Sequence, residues 1–256
     1  MSIGILLMGL FVGFLVGLTG VGGAALLTPF LILIGINPLL AVGTDFVYNS
    51  ITKFFGSVQH FRQKTINFTL VKYLAIGSVP SAIIAVILLQ IFGDSRYLQG
   101  EIVKHALGYV LIIVAITTVI KTLFFTNIST NKYSQKPIRD KKSATILLGA
   151  VLGFIVGLTS VGSGSLFALA MLLFYRLRAS ELVGTDIAHA FILVTVSSFF
   201  HIGLGNVDFL LVANLLCGSI PGVLLGSSLS AKVPVKPLQT VIGIIIFISG
   251  LKLITN

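Results

Sequence analysis

The sequence predicts an all-α polytopic membrane protein with two inverted-topology repeats, about 8–10 membrane segments and two glycine-broken hairpins. Three observations lead to this fold class. Of the 256 residues, 56% are hydrophobic and 9% are charged, whereas roughly a quarter of the residues of a soluble domain are charged. Mean hydropathy is +1.09, and apolar runs long enough to cross a bilayer recur along the chain. The third observation is an internal duplication.

The duplication begins with a glycine-rich motif. GFLVGLTGVGGAAL at 13–26 returns as GFIVGLTSVGSGSL at 153–166, 140 residues later. Four further features then repeat at an offset of 141 residues: GTD at 43–45 and 184–186, His60 and His201, Asn67-Phe68 and Asp208-Phe209, and GSVP at 77–80 with GSIP at 218–221. Because loop lengths are kept along with the motifs, the two halves are expected to have the same order and spacing of segments.

Membrane segments are predicted at 3–19, 24–35, 41–60, 68–92 and 102–125, and again at 143–159, 165–175, 181–203, 208–231 and 235–254. The stretch 126–142 is polar, basic and contains a proline, which is typical of an exposed linker. The chain therefore divides into a first transmembrane repeat (1–125), a cytoplasmic linker (126–142) and a second transmembrane repeat (143–256). Together they form one integral membrane domain.

Basic residues predict how the halves are oriented. The loop after the third segment carries Arg62, Lys64 and Lys72, whereas its counterpart in the second half is uncharged. The loop before the third segment shows the opposite bias, with Arg176 and Arg178 in the second half only. If cytoplasmic loops collect the basic residues, each half crosses the membrane an odd number of times. The repeats are then inverted, and both termini are extracytoplasmic.

The chain has 17 Lys and Arg residues against 7 Asp and Glu. These cations lie between apolar runs and form no long basic helix face, so nucleic acid is excluded as a partner. The partners expected are the lipid bilayer and a small solute.

Each glycine motif is predicted to form a hairpin whose tip lies inside the membrane. Residues 24–35 would rise only about 18 Å as a helix, against a hydrocarbon core of about 30 Å. The amides at the start of the short helix attract anions, although small residues can instead serve close helix packing. The predicted substrate-binding residues are Thr19, Gly20, Val21, Gly22 and Gly23 in the first copy, and Thr159, Ser160, Val161, Gly162, Ser163 and Gly164 in the second.

Ionisable residues within or beside the segments are candidates for coupling or gating: Asp45, Asp186, Lys53, His60, His189 and His201. The two aspartates stand near predicted segment starts, where they can cap a helix, while proton or cation binding is the alternative. Lys53 either snorkels to the interface or attracts substrate. His60 and His201 suit interfacial or capping positions, whereas His189 lies within a span and has Tyr48 as its counterpart.

Enzymatic function is not expected. The His, Cys, Asp and Glu residues lack the spacing of a metal site, so no metal or other cofactor is expected. An intramembrane serine hydrolase, with Ser163 or Ser165 as nucleophile and His189 or His201 as base, is a remote alternative. The GxSxG nucleophile elbow that would favour it is absent.

These motifs resemble the sulfite exporter TauE/SafE family. The resemblance rests on GLTGVGG followed by Pro29, the two GTD motifs, His60, the NF and DF pairs, and the GSVP and GSIP turns, and it covers essentially the whole chain. It implies a multi-pass permease of the cell (plasma or inner) membrane that moves small sulfur anions, such as sulfite or organosulfonates, together with protons. Alternating access would occur around a central site made by the two glycine-rich breaks.

Two features depart from that family's pattern. Asp45 and Asp186 stand where the family often has serine, and the second glycine motif is substituted with serine as SVGSGS. A cation or metal-ion permease that uses Asp45 and Asp186 is therefore the alternative function. The exact substrate, the direction of transport, the coupling ion, the oligomeric state and the choice between rocking and elevator motion stay open at this point.

Overall fold

The computed structural model describes residues 3–19, 23–92, 95–124, 137–230 and 235–255. In the first half the helices are α1 (Ile3–Thr19), α2 (Ala24–Leu33), α3 (Pro38–Arg62), α4 (Phe68–Phe92) and α5 (Arg96–Phe124). In the second half they are α6 (Lys142–Thr159), α7 (Leu166–Phe174), α8 (Ala179–Gly203), α9 (Phe209–Ser230) and α10 (Val235–Thr255). The ten predicted segments therefore correspond to ten observed helices.

Several boundaries differ from the prediction by one to three residues, and the largest difference is at the start of α5. Helix α5 begins at Arg96 rather than at 102, because its first turns carry polar residues that a hydropathy pattern does not include. At the end of the predicted linker (126–142), Ile138–Lys141 forms a 3-10 turn that leads directly into α6. The remainder of that linker, up to residue 136, lies outside the described residues.

Among the described residues, six helices contain a stretch long and apolar enough to cross a membrane: α4, α5, α6, α8, α9 and α10. Helices α1 and α2 are shorter apolar helices, and α7 has 9 residues. Helix α3 has 25 residues but carries Asp45, Asn49 and Lys53, which lower its hydropathy. The protein is an all-α polytopic membrane protein.

Two helix pairs that join the halves pack with their backbones in close contact. Helix α1 runs parallel to α9, and α6 runs parallel to α4. A Cβ atom built on Gly13 would lie 2.7 Å from the Cα of Ser219, and one built on Gly157 would lie 2.7 Å from the Cα of Ala82. Gly13 and Gly157, which precede the break in their motifs, thus serve close helix packing. Helix packing was the alternative to anion binding for the whole motif.

Two further pairs consist of helices that are equivalent in the two halves, and these pairs are antiparallel. In the α3–α8 pair, the hydroxyls of Ser50 and Thr195 lie 2.7 Å apart, while Ser57, further along α3, donates to the carbonyl of Ile187, earlier on α8. The two helices are therefore antiparallel. In the α5–α10 pair, Gly108 lies beside Gly250 and Gly243 lies beside Val119, which also gives an antiparallel pair.

Both glycine hairpins reach the middle of α3. A Cβ atom on Gly23, which precedes α2, would lie 3.8 Å from Tyr48 and 3.9 Å from Asn49. In the second hairpin, the hydroxyl of Ser160 donates a hydrogen bond to the carboxylate of Asp45. Since α3 runs from Pro38 to Arg62, these contacts lie near its centre, where the hairpins from the two halves approach each other.

Candidate functional site

A cavity of about 390 Å³ lies between the two hairpins, α3 and α8. Gly23 and Gly164 contribute one lining position from each hairpin. The polar and charged side chains that line the cavity are Tyr48, Asn49, Thr52 and Lys53 from α3 and Asp186 from α8. The cavity therefore combines hairpin backbone, neutral hydrogen-bonding groups and two opposite charges.

One face of α3 supplies most of this polar lining. Residues three or four positions apart lie on the same side of a helix, which aligns Asp45, Tyr48, Asn49, Thr52 and Lys53. The amide of Asn49 donates to the carbonyl of Asp45 at 3.0 Å, and the hydroxyl of Thr52 donates to the carbonyl of Tyr48 at 3.1 Å. These bonds attach both side chains to their own helix and so orient them beside the cavity.

Three charged residues come together at this place. Asp45 is 0% exposed and Asp186 is 7% exposed, while Lys53 is half-buried and interacts electrostatically with both carboxylates. One Asp45 oxygen accepts from Ser160, and Thr28 and Asn49 lie beside the same carboxylate. The ammonium group of Lys53 is thus attracted by two buried carboxylates, one from each half of the protein.

Helix capping is wrong as the role of Asp45 and Asp186. Helix α3 begins at Pro38, and Asn37 caps it by accepting from the backbone N–H of Leu39 at 2.9 Å. Asp45 therefore lies about two turns inside α3. Asp186 lies equally far inside α8, which begins at Ala179. The polar and proline-containing start of α3 was excluded from the predicted segment, which placed Asp45 too close to the helix end.

The other two residues of each GTD motif connect the halves. The hydroxyl of Thr44 accepts from the backbone N–H of Asp208 at 3.1 Å, and the hydroxyl of Thr185 accepts from that of Asn67 at 3.0 Å. A Cβ atom on Gly184 would lie 2.6 Å from the carbonyl oxygen of Thr65. The glycine thus permits close approach, and the threonine binds the loop of the other half. Of the two aspartates, Asp186 lines the cavity, whereas Asp45 is buried and accepts from Ser160.

The repeated NF and DF pairs also have a structural role. The side chain of Asn67 accepts from the backbone N–H of Leu70 at 3.1 Å, and that of Asp208 accepts from Leu211 at 2.9 Å. Each residue therefore caps its own helix, α4 or α9, while its backbone N–H binds a GTD threonine.

The predicted tip residues take different positions. Of those described, Gly23 and Gly164 line the cavity. Thr159, Ser160, Val161 and Ser163 are buried, and the Thr159 hydroxyl donates to the carbonyl of Ile155 at 2.8 Å. Gly162 has a φ of 102°, which a glycine adopts readily in a tight turn. Thr19 ends α1, and Gly20, Val21 and Gly22 lie outside the described residues.

The three candidate histidines lie in separate surroundings. His60, at the end of α3, lies 2.8 Å from the hydroxyl of Thr65, as its predicted terminal position suggests. His201 is instead buried, at 2% exposure, and stacks on Phe46 with ring centroids 5.0 Å apart. An interfacial position for His201 is therefore wrong, because the other half of the protein covers this helix end.

His189 is buried within α8. Its Nε2 atom lies 2.8 Å from the hydroxyl of Ser78, so the described hydrogen bond of this ring is with α4 rather than with Ser163 or Ser165. Its counterpart Tyr48 likewise lies beside Ser219, the counterpart of Ser78. The repeat is thus kept at the level of side-chain pairs. Within the described ranges, no three His, Cys, Asp or Glu side chains come together as a metal site.

Sequence reasoning missed the neutral lining residues Asn49 and Thr52. Tyr48 was noted only as the counterpart of His189. The signal that could have found all three is helical spacing, since they lie on the same face as Asp45 and Lys53.

Comparison with known proteins agrees with this architecture. The sequence profile described as "Sulfite exporter TauE/SafE" matches residues 5–253. The probable membrane transporter protein YjnA of Bacillus subtilis (strain 168) is 59% identical over 254 residues, which cover 99% of this chain and 100% of that protein. No solved structure matches the chain.

Two more distant Bacillus subtilis (strain 168) proteins also align along nearly the full length. The probable membrane transporter protein YunE is 22% identical over 268 residues (98% of this chain, 96% of the relative), and the probable membrane transporter protein YdhB is 23% identical over 253 residues (98% and 99%). With a cavity that contains charged and polar side chains inside a bundle of membrane helices, and a family profile that spans almost every residue, the chain belongs to the sulfite exporter TauE/SafE family of membrane transporters.

Proposed function

We propose that the protein transports small sulfur-containing anions, such as sulfite or organosulfonates, by alternating access around the cavity between the hairpins. The observation that carries this proposal is the position of Lys53. This cation lines the cavity together with the hairpin glycines Gly23 and Gly164, and the remaining lining consists of neutral polar side chains, apolar side chains and the carboxylate of Asp186. An ammonium group with hydroxyl and amide donors around it matches the oxygens of a small oxyanion.

The size of the cavity also suits a small solute. A volume of about 390 Å³ lies near the lower end of the range of roughly 300–1,000 Å³ for small-molecule sites. Gly23 and Gly164, which bring the hairpin backbones to its edge, allow a bound ion to contact backbone groups directly. Such irregular backbone is tolerated at membrane depth where it lines a cavity.

The proposed transport cycle uses two inverted repeats. The antiparallel packing of α3 with α8 and of α5 with α10 supports this topology, because these pairs consist of equivalent helices. In this proposal the hairpins and the GTD helices α3 and α8 move relative to the longer helices, exposing the cavity to each side in turn.

The distribution of basic residues supports a cell-membrane orientation with both termini extracytoplasmic. Asn67 donates to Glu181 at 3.0 Å, which brings the α3–α4 loop next to the start of α8. The ammonium of Lys142, at the start of α6, lies 5.9 Å from the ring centroid of Tyr73, near the start of α4. The basic loops of both halves therefore gather at one end of the bundle, which the positive-inside rule assigns to the cytoplasm.

The test is flux in proteoliposomes, with sulfite, a sulfonate, thiosulfate, chloride and divalent cations supplied in turn. Replacing Lys53 by Gln should lower the flux of sulfur anions about ten- to hundredfold, as expected when a hydrogen bond to a charged group is lost. Lys72→Gln is the matched control, since it removes the same charge from an exposed position on α4 and should leave flux unchanged.

Asp186 lines the same cavity, which favours a cation or metal-ion permease as the second candidate. Divalent cation flux that disappears in an Asp45→Asn, Asp186→Asn double variant, with no anion flux in the unaltered protein, would establish this alternative. Unchanged anion flux in Lys53→Gln would reject the proposed role of the lysine.

A further inference from the structure

Asp186 and Lys53 line the same cavity, and the two side chains interact electrostatically. An anion that approaches the ammonium of Lys53 therefore also approaches a carboxylate from the opposite half of the protein. Asp45 lies deeper, fully buried and bonded to Ser160, and it too interacts with Lys53. The other titratable groups nearby are Tyr48, which lines the cavity, and His189, which Lys53 also influences.

The charges of this cluster limit what can bind. When both carboxylates are ionised, one positive charge faces two negative charges, and when one carboxylate carries a proton the cluster is neutral. In both cases Lys53 supplies the one positive charge of this cluster, so it can pair with one negative charge on a ligand and leaves a second one uncompensated. Because charges interact strongly in an environment of low dielectric constant, a second ligand charge meets repulsion from Asp186 without a second ammonium group to offset it.

We propose that the site selects monoanions over dianions of the same shape, and that Asp186 is the residue responsible. This inference rests on the proposed function and narrows its substrate class. The substrate is a small oxyanion with one negative charge, such as an organosulfonate or hydrogen sulfite, and sulfate is excluded. The discrimination is made by charge, since the neutral donors Tyr48 and Asn49, which line the cavity, can bind the oxygens of either kind of ion.

Methanesulfonate and sulfate are the probes. Both are tetrahedral sulfur oxyanions of similar size, and near neutral pH the first carries one charge and the second carries two. Flux of each is measured in proteoliposomes at equal concentration. In the unaltered protein, flux of methanesulfonate should exceed that of sulfate by at least about tenfold, because like charges placed together are strongly disfavoured.

Asp186→Asn should bring this ratio towards one by admitting sulfate. Two controls keep the charge of the site: Asp186→Glu retains the carboxylate, and Asp140→Asn removes one from an exposed position before α6. Both should retain the ratio. Val183→Lys is an independent variant, because it adds a positive charge to the cavity lining while Asp186 stays in place, and it should also admit sulfate.

The outcomes are separable. Equal flux of the two ions in the unaltered protein overturns charge selection but leaves anion transport standing. An unchanged ratio in an active Asp186→Asn variant overturns the role of Asp186. If Asp186→Asn is not recovered as folded protein, Val183→Lys decides, and sulfate exclusion that persists in it contradicts the inference. Absence of flux for every anion rejects the proposed function and this inference with it.

Discussion

Asp45 illustrates how a buried charge is held in this protein. Its carboxylate is fully buried and accepts a hydrogen bond from Ser160, which belongs to the hairpin of the other half. Ser160 itself has a φ of 62°, in the left-handed region that residues with a side chain rarely adopt. The hydrogen bond therefore connects a strained turn to the middle of α3, and its loss affects both partners.

Ser160→Ala should lower the stability of the folded protein by about 1–3 kcal/mol, because it leaves the Asp45 carboxylate without this donor. Ser160→Gly should cost less, since glycine adopts a positive φ without strain. The midpoint of thermal unfolding in detergent measures both effects. Ser165→Ala is the control, because the Ser165 side chain makes no capping hydrogen bond. Equal midpoints for Ser160→Ala and Ser165→Ala would contradict the prediction.

At the scale of elements, glycines decide which helices can lie together. On α9, Gly218 faces the backbone of α1, and on α1, Gly9 would place a Cβ atom 3.2 Å from the Cα of Leu215. On α6, Gly149 faces Leu74 of α4 in the same way. Lipid supplies little hydrophobic force between helices, so this close packing contributes to the association of the two halves alongside the hydrogen bonds between them.

Gly13→Ala should destabilise the α1–α9 pair by about 1–3 kcal/mol, as overpacking of a close contact typically does. The new methyl group would meet the backbone of Ser219 rather than a side chain that can turn away. Gly203→Ala, at the end of α8, is the control because a Cβ atom there has nothing within 4 Å. Thermal unfolding of the two variants is compared, and a Gly13→Ala midpoint no lower than that of Gly203→Ala would disprove the close contact.

At the scale of the whole molecule, the two halves interlock rather than stand side by side. Helix α1 of the first half packs on α9 of the second, and α6 of the second packs on α4 of the first. The cavity lies between α3 and α8, the helices that carry the two GTD motifs. A movement of one hairpin therefore changes contacts with both halves, and the alternating access proposed above would use such a movement.

Inverted topology predicts that equivalent positions label from opposite sides of the membrane. Arg62 and Gly203 are a suitable pair, since they are equivalent in the repeat, exposed and at helix ends. After Cys217, which is itself exposed, is replaced by Ser, single cysteines at the two positions are treated with a membrane-impermeant thiol reagent. Arg62→Cys should react from the cytoplasmic side and Gly203→Cys from the outside. Reaction from the same side would mean that the repeats are parallel.

The helices and their duplication follow from the sequence alone, because hydropathy and repeated motifs are local properties of the chain. The family could be identified for the same reason. The start of α3 also follows from the local sequence, since Asn37 and Pro38 form a typical helix N-terminus. Hydropathy alone instead predicts that the segment begins at 41. That error is what placed Asp45 at a helix end.

What only the tertiary structure decided is which side chains meet. Ser160 and Asp45 form a hydrogen bond although they are 115 residues apart in sequence. Lys53 of the first half and Asp186 of the second half line the same cavity. Each of these residues can be recognised in the sequence as polar within an apolar segment. The local sequence does not show which residue each one contacts or how deeply it is buried in the folded protein. Packing of one half against the other brings them together, and for that reason the site, unlike the helices, exists only in the folded protein.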